Sequence, residues 1–575
     1  MTRSRRARRR AGLRPARLDV IAGLALLGFA ALFARAIQLQ TLDADWLADR
    51  AGKQAQTTVP LEALRADLQD RKGTPLAVSA TVDSVAGWPK RIGDPRAAAH
   101  ALAGPLGLPA RELESKLSHG SGFTWLERWV SPETADKVTR LKLAGVQLIP
   151  ERRRFYPNGD LAGPLLGFAD RDGHGLSGLE LAYDRELRGA SAAMSAQRDA
   201  HGNVLATVAA APAARSGRAV KLALDVRLQH FAENALAESL RKTGARHATL
   251  VAMDPATGEI LALAEAPGFD PNRFWLEDKS LYRARAFVDG FEPGSTLKPF
   301  SVAVALEQGV TTPAEIFDCE NGSYKIGRRT IRDFHPHGLL SVTDVVRFSS
   351  NIGAAKISER VGAVKLVAGL RGFGFGDLPG SGFPGEFGGL LRDLRERQVV
   401  ERANLSFGQG ITVTPVQLVT AMAVFANGGR RVTPRLLALR SEGEPPEPGA
   451  RVISEQTAHQ VMAMLRAVVE GGTGVQAALP NVPVAGKTGT AQKVKEGTYS
   501  QKDYIASFVG IAPADHPRFV IGVFVDEPQG LHTGGVVAAP VFREVAAYAL
   551  DQLGAREPKP AEIQTRVKSD GADRG

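Results

Sequence analysis

A continuous apolar segment near the N-terminus dominates the hydropathy pattern of the chain. Val20 to Ala34 contains no charged residue, and Ala36-Ile37-Gln38-Leu39 extends the segment beyond Arg35. A bilayer core needs about 20 residues of helix, which this segment supplies if the Arg35 side chain extends toward the interface. The pattern therefore predicts one transmembrane helix over residues 19–39.

The residues before this segment predict its orientation. Eight arginines lie there: Arg3, Arg5, Arg6, Arg8, Arg9, Arg10, Arg14 and Arg17. By the positive-inside rule, the basic tail 1–18 is expected in the cytoplasm and the chain beyond about residue 40 outside it. Two processing signals compete with this reading, a small-x-small cleavage site at Ala34-Arg35-Ala36 and a twin-arginine signal at Arg5-Arg6. Because an arginine is unusual inside a cleavage site and no apolar pair follows the twin arginine, we expect an uncleaved anchor.

From residue 40 to residue 215 the chain alternates short strand-like runs with turns rich in glycine and proline, and it carries no recognisable catalytic cluster. This pattern predicts a support domain. Three of its segments are dense in charges and turn residues, and we expect structural salt bridges there: Arg65–Gly73, Arg153–Pro157 and Gly175–Glu180. The Ala/Pro-rich segment Ala206–Arg215 is predicted to be the connector to a second domain, residues 216–555.

The second domain opens with alternation typical of a strand, Val220–Asp225, followed by helical periodicity over Arg227–Leu240. Two apolar runs, Ala248–Met253 and Ile260–Ala264, flank the turn sequence Asp254–Gly258, which predicts a β-hairpin. Further predicted elements are a helix over Ile352–Val361, an exposed loop over Phe373–Gly389, a helix start at Thr414-Pro415 and paired strands over Phe508–Ala512 and Phe519–Val525. Residues 556–575 are predicted to be a disordered tail.

Charge and cysteine content exclude some classes of function. The net charge is +11, but eight of these charges belong to the arginines before the apolar segment, which leaves +3 for the rest of the chain. The body of the protein is close to neutral, so the charge does not indicate a nucleic-acid partner. The single cysteine, Cys319, cannot form an intramolecular disulfide.

Candidate chemistry centres on the segment Phe291–Phe300. Pro293 and Gly294 indicate a turn that leads into a helix, and Ser295 and Lys298 are spaced so that both side chains lie on one face of it. A partly desolvated lysine can be neutral enough to take the proton of a serine hydroxyl and so activate it as a nucleophile. A helix start with an ordinary serine and a solvated lysine would show the same local pattern.

Val484–Ala491 contains Gly486-Lys487-Thr488, which resembles the end of a phosphate-binding loop. That loop requires a glycine five positions before Gly486, where this chain has Asn481. We instead expect Lys487 to Thr490 to form a strand edge that offers a cation, hydroxyls and free backbone groups to a substrate carboxylate and amide. His335 and His337 have no acidic or cysteine partner nearby in sequence, so we expect no metal site.

Three short motifs in a fixed order are far more specific than any one of them. Ser295-x-x-Lys298, Ser349-x-Asn351 and Lys487-Thr488-Gly489 have the order and type of the motifs of serine penicillin-recognising enzymes. From about residue 18 to about residue 550 the chain resembles a class B penicillin-binding protein, a peptidoglycan D,D-transpeptidase, of the division-specific (septal) type.

The resemblance implies a role for each motif residue. Ser295 is expected to attack the carbonyl between the last two D-alanines of a stem peptide, with Lys298 as its base. Ser349 is expected to relay a proton to the leaving amine, and Asn351 to fix Lys298 and the substrate amide. The terminal carboxylate is expected to bind the segment Lys487, Thr488, Gly489 and Thr490. Backbone N–H groups of Ser295 and Thr490 would form an oxyanion hole, and no metal or cofactor is needed.

The resemblance also implies an architecture and partners. The expected fold is α+β, with a serine β-lactamase-like transpeptidase domain, an elongated N-terminal pedestal domain of the dimerisation type, and one transmembrane helix. The expected location is the bacterial inner membrane, single-pass, with the catalytic domain in the periplasm. Because no glycan-polymerising domain is recognisable before residue 215, a separate septal glycan polymerase and other division proteins are the expected partners. β-Lactams are the expected covalent inhibitors.

Several rival functions share these motifs. A β-lactam sensor or hydrolase would need a base that activates water beside the acyl ester. Glu292, in the turn before Ser295, is expected to cap or form a salt bridge instead, and no sequence signal places Asp333 near the ester. An elongation-type transpeptidase paralogue differs mainly in the third residue of the middle motif and in its partners, and a structural division protein with a secondary active site is a further alternative.

Overall fold

The computed structural model describes residues 15–61, 63–119, 122–190, 192–198, 204–207, 216–439, 449–495 and 497–553. By the density of contacts, one compact unit takes the described chain up to Leu64 together with Gly189–Ser216. The other takes Arg65–Arg188 together with the chain from Gly217. Most of the predicted basic tail, most of the predicted connector and the predicted disordered tail 556–575 lie outside the described residues.

Up to residue 216 the helices are α1 Pro15–Ile37, α2 Ala44–Ala55, α3 Pro95–Leu106, α4 Ala110–Ser118, α5 Pro132–Arg140, α6 Gly163–Leu166, α7 Gly178–Ala182 and α8 Asp184–Arg188. The strands are β1 Gln56–Leu61, β2 Leu68–Gln69, β3 Pro75–Gly87, β4 Thr124–Glu127, β5 Val146–Phe155, β6 Ala192–Arg198 and β7 Val204–Thr207.

After residue 216 the helices are α9 Val226–Thr243, α10 Arg285–Val288, α11 Lys298–Glu307, α12 Val342–Arg347, α13 Asn351–Val361, α14 Ala363–Gly372, α15 Val399–Ser406, α16 Pro415–Ala426, α17 Glu455–Gly471, α18 Gly534–Val537 and α19 Ala539–Leu553. The strands are β8 Val220–Lys221, β9 His247–Met253, β10 Ile260–Ala266, β11 Ile316–Asp318, β12 Ser323–Ile326, β13 Arg329–Arg332, β14 Leu339–Ser341, β15 Leu390–Leu391, β16 Ile411–Thr412, β17 Ala485–Lys495, β18 Thr498–Ala512 and β19 Phe519–Asp526.

The first unit contains the predicted membrane helix. Helix α1 continues through a π-helical turn, Gln38–Leu42, and Leu18–Leu42 is long and apolar enough to cross a membrane, with none of it buried. In the last turn of α1, Arg35 donates to the side chain of Gln38 at 2.8 Å. Strands β1, β6 and β7 form an antiparallel sheet in the same unit.

In the second unit, the segment Arg65–Arg188 is organised around the long strand β3. Residues Val78–Gly87 of β3 pair antiparallel with Val146–Phe155 of β5. Strand β4 also pairs with β3 at Val85–Gly87, and β2 pairs with it at Pro75 and Ala77. Strand β2 also pairs parallel with β8, from the chain beyond residue 216. Apolar side chains of α3, α4 and α5 pack on the sheet as a small separate core.

A buried ion network ties the charge-dense segments of this region together, as the sequence predicts. The Glu180 carboxylate, 0% exposed, accepts from Arg65 Nε at 2.7 Å and from Arg154 Nε at 2.6 Å. Burial lowers the pKa of the Arg65 guanidinium, but Glu180 and Asp184 outweigh burial and leave that pKa raised. Both buried guanidinium groups therefore share the Glu180 carboxylate, and Asp184 is a second partner of Arg65.

The chain from Gly217 is built on a five-stranded antiparallel sheet in the order β10-β9-β19-β18-β17. Alternate residues point to opposite faces, so Leu250 of β9 packs in the cluster with α9 and α19, and Val251 in the cluster with α11, α13 and α16. Helix α11 is buried from Lys298 to Leu306 and lies at the centre of the second cluster. The predicted hairpin, the predicted helices and the predicted strand pairs are confirmed.

Two local predictions are wrong. Of the strand predicted over Val220–Asp225, only Val220 and Lys221 pair in the sheet, because Asp225 instead caps α9 by accepting from the N–H groups of Arg227 and Leu228. The segment Phe373–Gly389 is indeed without regular structure, but it is not simply exposed. Phe373, Phe375 and Phe383 are buried, with the first two against Phe300 and the third stacked on Phe287.

We predict that Glu180→Ala destabilises the protein strongly, because two buried guanidinium groups lose their shared counter-charge. Breaking a buried ion pair in this way costs about 3–5 kcal/mol. The thermal unfolding midpoint of the full-length protein in detergent should fall clearly. The matched control is Glu238→Ala, which removes an exposed partner of Arg241 on α9 and should leave the midpoint unchanged. Equal midpoints for both variants would contradict the prediction.

Candidate active site

The turn that carries Ser295 is held in place by close backbone contacts. A 3₁₀ turn, Gly294–Leu297, leads directly into α11, and Gly294 adopts φ +55°. A Cβ at Gly408 would lie 2.1 Å from the Gly294 carbonyl oxygen, so the Leu405–Gly410 segment can pass this turn only with glycine at position 408. Thr296, Leu297 and Lys298 are buried while Ser295 is partly exposed. The turn therefore presents one hydroxyl to the outside.

Lys298 lies beside Ser295, as the helical spacing predicts. Its Nζ is 3.0 Å from Ser295 Oγ and 3.0 Å from Ser349 Oγ, and it donates to the Ser349 carbonyl oxygen at 2.5 Å. The side chain is 0% exposed, and this burial lowers the pKa of Lys298 to about 7, against the opposing effect of the Asp333 carboxylate. The neutral amine, which can accept a proton, is thus accessible near neutral pH.

The middle motif joins α12 to α13. Ser349 has φ +63°, in the left-handed region that costs a non-glycine residue about 1 kcal/mol. This conformation aims both its hydroxyl and its carbonyl at Lys298, while Ser350 caps α13 by accepting from Gly353 N. Asn351 lies at the cavity, but its Nδ2 donates to the Arg332 carbonyl oxygen at 2.8 Å. The contacts of Lys298 with this motif are thus made by Ser349.

Strand β17 carries the third motif at one end of the five-stranded sheet. Lys487 is buried, and its Nζ lies 3.1 Å from Ser349 Oγ. Burial and the neighbouring Lys298 charge hold the pKa of Lys487 well below its usual value. A Cβ at Gly489 would lie 2.4 Å from Ser507 Oγ and 2.9 Å from Thr296 Cγ2, so glycine is needed where β17 passes the Ser295 turn. An end strand leaves one row of backbone groups free for an added peptide.

These residues open onto one cavity of about 580 Å³. Ser295, Ser349, Asn351 and the segment Thr488–Thr490 line it, whereas Lys298 and Lys487 lie behind this wall with their amines on the serine hydroxyls. Aromatic side chains also line the cavity: Phe334, Phe348, Phe407 and Tyr504. The structure brings all eight sequence-predicted site residues together. Among the described residues, no group of three or more His, Cys, Asp or Glu could hold a metal ion.

Two polar contributors to the site were missed from the sequence. The Asp333 carboxylate accepts from Ser350 Oγ at 2.6 Å, from Asn351 N at 2.5 Å and from Ile352 N at 3.1 Å, and so stabilises the first turn of α13. The hydroxyl of Thr473, which follows α17, lies 2.6 Å from the hydroxyl of Thr488. Both contacts join residues at least fifteen positions apart, so no local pattern could have indicated them.

Two family models match this chain. Residues 248–547 match the penicillin binding protein transpeptidase domain, and residues 60–222 match the penicillin-binding protein dimerisation domain. The chain belongs to the class B penicillin-binding proteins. The predicted fold class is confirmed by the same two matches, and all eight predicted site residues fall within the transpeptidase match.

Named relatives of this penicillin-binding protein extend over nearly its whole length. The probable peptidoglycan D,D-transpeptidase PenA of Neisseria meningitidis is 37% identical over 94% of this chain and 93% of its own. The peptidoglycan D,D-transpeptidase FtsI of Escherichia coli is 34% identical over 93% of this chain and 91% of its own. Stage V sporulation protein D of Bacillus subtilis is 34% identical over 89% of this chain and 81% of its own.

Solved structures show the same fold. A peptidoglycan synthetase from Bifidobacterium adolescentis superposes with a TM-score of 0.69 at 27% identity, covering 88% of this chain and 98% of its own. Penicillin binding protein 3 from Mycobacterium tuberculosis, complexed with aztreonam, gives a TM-score of 0.66 at 29% identity, covering 86% and 98%. This penicillin-binding protein is a serine-type peptidoglycan D,D-transpeptidase with an N-terminal helix fit to anchor it in a membrane.

We predict that acylation by penicillin rises with pH and levels off above about pH 7. A protonated Lys298 cannot accept the Ser295 proton, and its neutral fraction falls about tenfold for each pH unit below its pKa. Stopped-flow acylation rates of the wild-type protein between about pH 5 and pH 9 measure this. Lys298→Arg keeps the charge but stays protonated, so it should acylate very slowly throughout the range. A flat profile, or rapid acylation of this variant, would exclude Lys298 as the base.

Proposed function

We propose that the protein cross-links stem peptides of septal peptidoglycan through an acyl-enzyme on Ser295. One observation carries this proposal: Ser295, Lys298, Ser349 and Lys487 form a continuous hydrogen-bonded chain that ends at an open cavity beside an end strand. A nucleophile, a base near neutrality and a proton relay are the parts that serine acyl transfer needs.

In the proposed first half-reaction, Lys298 accepts the proton of Ser295 as Oγ attacks the carbonyl between the terminal D-alanines. N–H groups of Ser295 and Thr490 stabilise the oxyanion, and each such donor is worth about 3 kcal/mol in comparable enzymes. Ser349, 3.0 Å from Lys298 Nζ, passes the proton to the leaving D-alanine amine. Asn351 contacts the substrate amide beside this path.

The donor peptide is proposed to lie along β17 as an added strand, with its terminal carboxylate at Thr488 and Thr490. Gly489 between them lets the strand lie close to the Ser295 turn. Burial and the Lys298 charge lower the pKa of Lys487 in the free site. A bound carboxylate raises that pKa again, so Lys487 becomes protonated and supplies a positive charge behind the threonines. Strand addition supplies affinity, and the carboxylate contact specifies the peptide end.

A septal role is supported by similarity over more than nine tenths of the chain to transpeptidases named PenA and FtsI. The dimerisation match over residues 60–222 accounts for most of the chain between the anchor helix and the transpeptidase domain. A separate septal glycan polymerase and other division proteins are therefore the proposed partners. The arginines before α1 favour a cytoplasmic N-terminus in the bacterial inner membrane, with the catalytic domain in the periplasm.

We predict that the penicilloyl-enzyme survives for many minutes. Deacylation by water would need a base that takes a proton from the water molecule. Of the two candidate carboxylates, Asp333 is committed to the first turn of α13, and Glu292 accepts hydrogen bonds from Gly410 and Tyr499 that oppose the rise of its pKa. Mass spectrometry should find one penicillin on the wild-type protein long after mixing, and none on Ser295→Ala. Sustained turnover of many penicillins per minute would instead indicate a hydrolase.

We predict that a fluorescent fusion to the cytoplasmic N-terminus concentrates at midcell in dividing cells. A septal enzyme must act where the new wall forms, whereas an elongation-type paralogue would follow the lateral wall. Time-lapse microscopy of the full-length fusion, expressed in place of the native protein, measures this. The Ser295→Ala fusion is the control, since recruitment through partner contacts does not depend on acylation. An even lateral distribution would favour the elongation role.

A further inference from the structure

The cavity contains one carboxylate that the first half-reaction does not use. Of the described residues that line it, Glu292 alone carries a carboxylate, and no lysine or arginine is among them. The second half-reaction of a transpeptidase brings in an amine, which arrives as an ammonium ion at neutral pH. Among the described residues, the cavity that receives this cation therefore contains a single carboxylate, three residues before the nucleophile.

Glu292 is held in a defined position. Its Oε1 accepts from the N–H of Gly410 at 2.9 Å, and its Oε2 accepts from the Tyr499 hydroxyl at 3.0 Å. A carboxylate has about four acceptor positions, so this one can accept at least one further hydrogen bond. In the described chain no lysine or arginine forms an ion pair with Glu292, and no cation contributes to its pKa shift. Of the two roles expected from the sequence, a cap or a salt bridge, Glu292 thus accepts a backbone N–H and forms no salt bridge with a described residue.

The surroundings make this group a better base than a surface glutamate. Burial raises the pKa of Glu292, against the hydrogen bonds from Gly410 and Tyr499. Burial and the Glu292 charge raise the pKa of Tyr499 to about 12, so the phenol stays protonated and acts as the donor. Glu292 therefore remains the proton acceptor of the pair.

We propose that Glu292 is the acceptor-site residue of the second half-reaction, which binds the incoming ammonium group and takes a proton from it. This inference rests on the proposed acyl-enzyme at Ser295. The ammonium gives one proton to the Glu292 carboxylate, and the resulting amine attacks the acyl carbon. The C–N bond forms, the C–Oγ bond breaks, and the second amine proton passes to Ser295 Oγ. Glu292 then releases its proton to solvent.

The same chemistry explains a preference for amines over water. An alkylammonium has a pKa of about 10, whereas water has a pKa of about 15.7, so a carboxylate removes a proton from ammonium far more readily. Charge attraction adds to this difference, because ammonium is a cation and water is neutral. A glutamate that lines the cavity can thus assist transfer to an ammonium acceptor while giving water little assistance.

A merely structural role predicts different behaviour. Glu292 connects the Ser295 turn to Gly410 and to Tyr499 of β18, so its loss could loosen the turn. Tyr499→Phe removes the β18 connection and keeps the carboxylate, which makes it the matched control. If Glu292 acts only by connecting the Ser295 turn to β18, Tyr499→Phe and Glu292→Gln should change the choice of acceptor equally. If its carboxylate binds the ammonium group, only Glu292→Gln should change that choice.

The experiment uses full-length protein in detergent, acylated by a thioester donor. Two acceptors compete for the acyl group: glycinamide, largely an ammonium ion at neutral pH, and hydroxylamine, which is uncharged there. The readout is the ratio of the two products, in which the fraction of active enzyme cancels. Glu292→Gln should lower the glycinamide-to-hydroxylamine ratio by about tenfold or more, the size expected for loss of a general base. Glu292→Asp should restore part of the ratio, and Tyr499→Phe should keep most of it.

An unchanged ratio in Glu292→Gln would overturn the proposal, even if both products fell together. An equal fall of the ratio in Glu292→Gln and Tyr499→Phe would overturn it in favour of a structural role. Penicillin acylation of the wild-type protein, measured in parallel, tests the proposed function separately. If Ser295 fails to acylate, the proposed function fails, whereas normal acylation with an unchanged product ratio refutes only the role of Glu292.

Discussion

Two buried lysines share one serine hydroxyl, and the properties of the site depend on this arrangement. The amines of Lys298 and Lys487 each lie about 3 Å from Ser349 Oγ, with both side chains fully buried. Two charged amines on one hydroxyl, away from water, would repel one another, and burial disfavours the charged form of each. Burial therefore lowers the pKa of both amines, and the Lys298 charge lowers that of Lys487 further. The pKa of one lysine therefore depends on the charge of the other, and a carboxylate bound near Lys487 would favour a proton on that amine.

The fold produces this pairing by bringing three distant parts of the chain into contact. Lys298 begins the buried helix α11, Ser349 lies at the junction of α12 and α13, and Lys487 lies on β17. The Ser295 turn before α11 packs closely against β17 at Gly489 and against the Leu405–Gly410 segment at Gly408, and neither glycine position admits a side chain. Ser349 is held in a conformation that it would not adopt alone. A stiff scaffold of this kind keeps both amines on the hydroxyl without help from a ligand.

Local elements could be predicted from the sequence, but their tertiary contacts could not. The hairpin around Asp254–Gly258 and the Ser295–Lys298 contact follow from local spacing and turn chemistry. The grouping of the three motifs came from their resemblance to a known family. Burial of the Phe373–Gly389 segment, the Arg332 partner of Asn351 and the placement of Asp333 depend on contacts across the fold, which hydropathy does not encode. The strand predicted at Asp225 was wrong because that carboxylate is used as a helix cap.

The parallel pairing of β2 with β8 has a consequence for biogenesis. Leu68 lies opposite Val220, and Leu68, Leu76 and Leu161 share one core with Met253 and Phe269. A chain that crosses a membrane from its N-terminus delivers β2 about 150 residues before its neighbour. During that interval these leucines have no native surface to cover them, and such non-local pairing is slow to form. Synthesis of this protein therefore includes a period in which an apolar half-core is exposed, and this surface must be shielded from aggregation until the chain is made past residue 269.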